Sequence, residues 1–98
     1  MPTEKKDIDT REFEGRVALI TGAATGLGYV IAQEFHARGA FTVMVDQSNE
    51  VKEKASVLGS SRVLGLTADL TVRKEVDAVR KEILLACGAI DTVVNNVG

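Results

Sequence analysis

Short unbroken apolar runs alternate with longer amphipathic stretches along most of this chain, and few architectures accept that pattern. The runs are Val17–Thr21, Ala40–Val45, 62–66 and 92–95. A run of this length without polar alternation reads as a strand buried on both faces, as in a parallel sheet. The stretches between them carry helical spacing. Leu27, Val30, Ile31 and Phe35 are expected on one helix face, with Gly39 closing the helix. Val51, Ala55 and Leu58 mark a weaker helix over 49–58, which Ser48 is expected to cap and Gly59 to end. Val72, Val76, Val79, Ile83 and Leu84 form the stripe of a helix over 72–87, with Thr71 as its expected N-cap and Gly88 at its end. Parallel neighbours need crossovers of helix length, so the order β-α-β-α-β-α-β predicts an α/β fold with a doubly wound parallel sheet of about four strands.

The connection between the first strand and the first helix carries Thr21-Gly22-Ala23-Ala24-Thr25-Gly26-Leu27-Gly28. Glycines at such a junction permit a tight turn and close approach of backbone to a ligand or neighbouring strand. The N–H groups that open a helix lack intrahelical partners and carry the positive end of its dipole, so they suit a pyrophosphate. The alternative is a tight connection with no ligand, and the strand-loop-helix context argues against it. No Lys-Ser or Lys-Thr follows the loop, which argues against hydrolysis of ATP or GTP.

Composition narrows the classes further. A chain of 98 residues is one domain at most, and its net charge of -2 provides no attraction for nucleic acid or an anionic membrane. Residues 1–14 read as a polar N-terminal arm and 15–98 as the domain. Met1–Arg11 has no apolar stretch of the kind a secretory signal needs. One cysteine allows no internal disulfide, which fits the reducing cytoplasm as the expected location. One His and one Cys make a metal site unexpected.

The Thr-Gly-x-x-x-Gly-x-Gly loop resembles that of the short-chain dehydrogenase/reductase family. The resemblance runs from about Phe13 to Gly98 and includes Asp69-Leu70 after the third strand and Asn95-Asn96-Val97-Gly98 at the fourth. Val97 stands where the family usually has alanine. The resemblance implies a Rossmann-type fold, here an incomplete nucleotide-binding domain. It implies that Gly22, Gly26, Leu27 and Gly28 line the pyrophosphate, chiefly through backbone. Asp69 and Leu70 would flank the adenine, and Asn96 and Gly98 would lie beside the central part of the cofactor. It further implies an oxidoreductase that moves hydride between a nicotinamide and an alcohol or ketone, in whole enzymes that are homo-oligomers.

The choice of cofactor turns on Asp46, which ends the second strand 18 residues after Gly28. A carboxylate there accepts from the ribose 2′-OH and repels a 2′-phosphate, while Thr25 and Gln47, at the positions where NADP would want a cation, are neutral. NAD is therefore expected rather than NADP. The family's catalytic Tyr and Lys, four residues apart, have no counterpart: Gln33 lies four residues after Tyr29, the single tyrosine. No catalytic residue is assigned, and the chain alone is expected to be inactive. His36 is expected to be solvated, Tyr29 to be a packing or solvent residue, and Cys87 to act as a small hydrophobe. Two alternatives stay open: a non-catalytic nucleotide-binding chain, and a methyltransferase. The loop spacing and Asn95-Asn96-Val97-Gly98 speak against the methyltransferase.

Overall fold

A computed structural model describes residues 12–96. The order is β1 (Val17–Thr21), α1 (Gly26–Ala37), β2 (Phe41–Asp46), α2 (Glu50–Leu58), β3 (Val63–Thr67), α3 (Arg73–Cys87) and β4 (Thr92–Val94). Every strand lies parallel to its neighbours in one sheet of spatial order β3-β2-β1-β4. The chain steps outward from β1 through β2 to β3, then returns to the other side of β1 for β4. The crevice between β1 and β4 is thus the switch point of a doubly wound sheet, where ligands bind at the strand C-termini. Asp91 fixes the register there: its carboxylate accepts from Val17 N–H at 2.7 Å, and its own N–H donates to the Val17 carbonyl at 2.9 Å.

The period of two along each strand divides the core. Ala18, Ile20 and Met44 point to one face and are buried beneath α1 and α2, with Ala32, Val51 and Ala55 packed on them. Val17, Val43, Val45 and Leu66 point to the other, where α3 contributes Val79 and Ile83. On the first face α2 sits very close to β3. A side chain at Gly65 would lie 2.8 Å from Ala55 Cβ and 3.0 Å from the Val51 carbonyl oxygen, so glycine is needed for the helix to reach the sheet.

Three local readings change. The face that α1 presents to the sheet is the small one, Gly28 and Ala32, with Ile31 and Phe35 partly buried beside it. Leu27 and Val30 are exposed, because the tight seat of Gly28 turns them sideways. Thr71 is one residue too early to cap α3: the N-cap is Val72, and the Thr71 hydroxyl donates to Asp69 Oδ1 at 2.6 Å. His36 is half-buried rather than solvated, with Nε2 3.1 Å from the Ser61 carbonyl oxygen. Beside it Arg62, at φ 61, donates from Nη1 to the carbonyls of His36 and Ala40 at 3.2 and 3.3 Å. Those carbonyls already accept from Gly39 N–H at 3.1 Å and from the Thr42 hydroxyl at 3.3 Å, and the added Arg62 bonds offset the cost of a left-handed conformation in a residue with a Cβ.

Of the polar arm, 1–11 lie outside the described residues. Phe13 stacks on Phe35 with ring centroids 5.0 Å apart, and Glu12 pairs with Arg38 at 2.9 Å, so the end of the arm is docked on α1.

Candidate dinucleotide site

The carboxyl ends of β1, β2 and β4 open onto a groove of about 1160 Å³. Its rim is the glycine loop. Gly22 and Gly26 have φ of 62° and 58°, the left-handed region in which a Cβ is strained. Gly28 has ordinary φ, and its constraint is space: a side chain would run into the Gly22 carbonyl and the Asn96 side-chain amide. The loop is also tied to the end of β4. Asn96 Nδ2 donates to the Gly22 carbonyl at 3.3 Å, and Asn96 N–H donates to Thr21 Oγ1 at 2.9 Å. The Thr21 hydroxyl in turn donates to Asn95 Oδ1 at 3.1 Å.

No N-cap residue of the three helices makes a side-chain cap bond, and the helix that this loop feeds differs from the other two in having no acid in its first turn. The N-cap of α2 is Asn49, one residue after the expected Ser48, whose Oγ accepts from Glu50 N–H at 3.1 Å, and Glu50 and Glu53 stand in the first turn. Glu75 stands in the first turn of α3 and accepts from Asp69 N–H at 2.6 Å. On α1, Thr25 occupies the N-cap with an extended backbone but makes no side-chain cap bond, and no acid follows in the first turn. No acid of this first turn faces the first N–H groups of α1, and Thr25, Gly26 and Leu27 line the groove.

Asp46 stands across the groove at the end of β2. Its Oδ2 accepts from Ala24 N–H and its Oδ1 from Ser48 N–H, each at 3.0 Å. An ionised carboxylate offers about four acceptor positions, so two such bonds leave room for ribose hydroxyls. Past β3, Leu70 and Ala68 continue the wall. Asp69 turns back on Thr71, whose hydroxyl and N–H hold its carboxyl below the usual carboxylate range.

Gly22, Thr25, Gly26, Leu27, Asp46, Leu70 and Asn96 thus border one groove, with Gly28 packed behind the loop and Asp69 beside Leu70. Val97 and Gly98 lie outside the described residues. Three groups were not singled out from sequence: the amides of Ala24 and Ser48, and the Glu75 carboxylate. Asp69-x-Thr71 and Asp46-x-Ser48 are spacings at which an Asp side chain bonds backbone two residues on, and that was the available signal. The groove also runs on past Asn96 over Leu19, Ile90 and Val93, an apolar floor that periodicity did not indicate. Tyr29 packs on the core edge with Lys54 Nζ 4.6 Å from its ring centre, away from this groove. Burial raises the Cys87 thiol above its ordinary range, as expected of a small hydrophobe. Among the described residues no three His, Cys, Asp or Glu come together to hold a metal, and no helix is long and apolar enough to cross a membrane.

The family model for short chain dehydrogenases matches residues 16–98. The chain is 42% identical over 89 residues to 1,6-dihydroxycyclohexa-2,4-diene-1-carboxylate dehydrogenase of Pseudomonas putida, covering 90% of this chain and 33% of that protein. It is 36% identical over 83 residues to the NAD-dependent glycerol dehydrogenase of Listeria innocua, covering 85% of this chain and 33% of that one. Among solved structures, 3-ketoacyl-(acyl-carrier-protein) reductase of Brucella melitensis, complexed with NADH, superposes with a TM-score of 0.80 at 35% identity. That match covers 84% of this chain and 34% of the reductase. The chain spans about a third of the length of these relatives.

Proposed function

This chain belongs to the short chain dehydrogenase family, and we propose that it is the part of an oxidoreductase that binds NAD(H). One observation carries the reading: an acid-free helix start wrapped in a glycine loop faces a strand-end carboxylate across one groove. The pyrophosphate lies on the N–H groups of Gly26, Leu27 and Gly28. The adenosine ribose faces Asp46, and the adenine lies between the loop and Asp69-Leu70. Asn96 borders the central part of the cofactor, and Gly98 is assigned there too by its place in the motif. NAD rather than NADP follows from charge: a 2′-phosphate beside Asp46 meets repulsion, and neither Thr25 nor Gln47 offsets it. The NADH held by the Brucella reductase and the NAD-dependence in the Listeria enzyme's name support this choice.

When bound, the nicotinamide supplies hydride chemistry, and the reaction proposed for the whole enzyme is between an alcohol and a ketone. This chain's own residues bind and orient; none of them is placed as the acid or base. Its location is proposed to be the cytoplasm.

The chain contains no Trp, so NADH emission can be followed without indole background. Titration is expected to show NADH binding more tightly than NADPH. Gly28→Ala should abolish both, because its Cβ would displace the Gly22 carbonyl from the loop. Asp46→Ala with Gln47→Arg should reverse the NADH preference. Binding of neither dinucleotide to the unmodified chain would overturn the proposal, and unchanged selectivity in the double variant would overturn the role of Asp46.

A further inference from the structure

Asp46 sits where a ribose would be read, yet its carboxylate is already engaged on both oxygens by backbone from two different loops. Ala24 belongs to the glycine loop after β1, and Ser48 to the turn between β2 and α2. Ala24 is 1% exposed and Ala23 fully buried, so this part of the loop lies inside the protein. Ala23 N–H bonds to the Val45 carbonyl at 3.2 Å, and Ala24 N–H to Asp46 Oδ2 at 3.0 Å. Without the carboxylate, the Ala24 amide would be a buried donor facing no acceptor, a costly arrangement that the chain relieves by moving. What would move is the segment between Gly22 and Gly26, whose position sets where the first N–H groups of α1 point.

We infer that Asp46 is a positioning residue for the phosphate-binding loop, so that ribose reading and loop shape depend on one carboxylate. The inference rests on the nucleotide-binding reading above and deepens it. A residue that only reads ribose acts solely through the 2′- and 3′-hydroxyls. A residue that also braces the loop affects the pyrophosphate, whatever the sugar carries. Exchanging Asp46 to alter cofactor choice would then weaken binding of every adenine nucleotide, including those the exchange was meant to favour.

The test compares ADP with 2′,3′-dideoxy-ADP, which lacks both hydroxyls a ribose reader could bond, by calorimetric titration of the full chain and its Asp46→Ala variant. Amide hydrogen exchange is measured on both without nucleotide. Bracing predicts that Asp46→Ala weakens 2′,3′-dideoxy-ADP by about tenfold or more, the scale for loss of a charge-assisted bond, and ADP by a larger factor. It also predicts faster exchange at Ala24 and Ser48, with exchange at strand amides such as Val43 unchanged. Binding of 2′,3′-dideoxy-ADP within about twofold of the unmodified chain, with ADP alone weakened, would overturn the inference and leave ribose reading intact. If the unmodified chain binds neither probe, the nucleotide reading fails. Exchange at Ala24 then decides the brace by itself, and an unchanged rate overturns it. Should Asp46→Ala not fold, Asp46→Asn serves: it offers one acceptor oxygen to the two amides, so one of Ala24 and Ser48 should exchange faster. Protection retained at both would overturn the inference.

Discussion

The two faces of the sheet are built from the same four strands and end up unlike each other. Beneath α1 and α2, Ile20 and Met44 are fully buried, and Gly65 lets α2 settle onto β3. On the opposite face α3 stands alone among the described elements. It covers Val43 and Val45, while Leu19 is only partly buried and Val93 is 59% exposed. The faces differ in cover and not in apolar character, since both are lined by aliphatic side chains. The closed face holds fully buried side chains, and the open face holds the groove. The loop proposed to hold phosphate is anchored on the closed side through Ala23 and Ala24 and opens toward the other.

The strongest way to break this comparison is to truncate one residue on each face. Ile20→Ala removes a side chain with no exposed surface and leaves a cavity under two helices, so it should cost about 3–5 kcal/mol. Val93→Ala, on the open face, should cost less than about 1 kcal/mol, because little of Val93 leaves water on folding. Urea denaturation of both variants measures the difference. Equal losses would mean that the open face is covered in solution, and the asymmetry would fall.

Gly65→Ala sharpens the same contrast with a smaller effect. The added methyl would meet Ala55 Cβ and the backbone of Val51 and Lys52, and backbone cannot swing aside as a long side chain does. Lifting α2 from β3 should cost about 1–3 kcal/mol, seen as a lower urea midpoint. A neutral result would show that α2 is not seated on β3 as closely as the geometry requires.

Gly65 also marks where the sequence stopped being legible. All seven elements are legible in order, and the six given bounds agree to within a residue, because buried parallel strands leave continuous apolar runs and glycines punctuate them. The Gly22–Gly28 loop was readable because its context, strand then helix, can be seen in one dimension. A lone glycine inside Val63–Thr67 reads only as a weak strand position; that a helix backbone lies against it depends on which helix crosses which face. The same limit applies to Asp46. Its strand-end position is visible in sequence, but its bonds to Ala24, 22 residues away, depend on β1 and β2 being neighbours. Leu27 and Val30 were misplaced for a related reason: spacing finds an apolar face, yet the close seat of Gly28 chose a smaller one.

The smallest expected effect lies at the turn that leads into α3, the helix that covers the open face. Asp69 Oδ1 accepts from the Thr71 hydroxyl at 2.6 Å and from Thr71 N–H at 3.0 Å, and these bonds favour the ionised carboxyl. Above the ordinary aspartate range the folded and unfolded chains are both ionised there, and the full contribution is present. As pH falls, the unfolded chain takes up its proton first, so stability declines until pH has passed through the lowered folded value. Thr71→Val removes the hydroxyl, the larger of the two causes, and keeps the N–H. The Asp69 titration, followed by carboxyl-carbon NMR, should therefore move up toward the ordinary range without reaching it. The acid limb of the stability curve should become shallower, while at neutral pH the melting temperature changes little, because the site is exposed to solvent. No movement of the Asp69 titration would show that the Asp69–Thr71 turn is not formed in solution. The turn that leads into α3 would then rest on the Glu75 bond to Asp69 N–H alone.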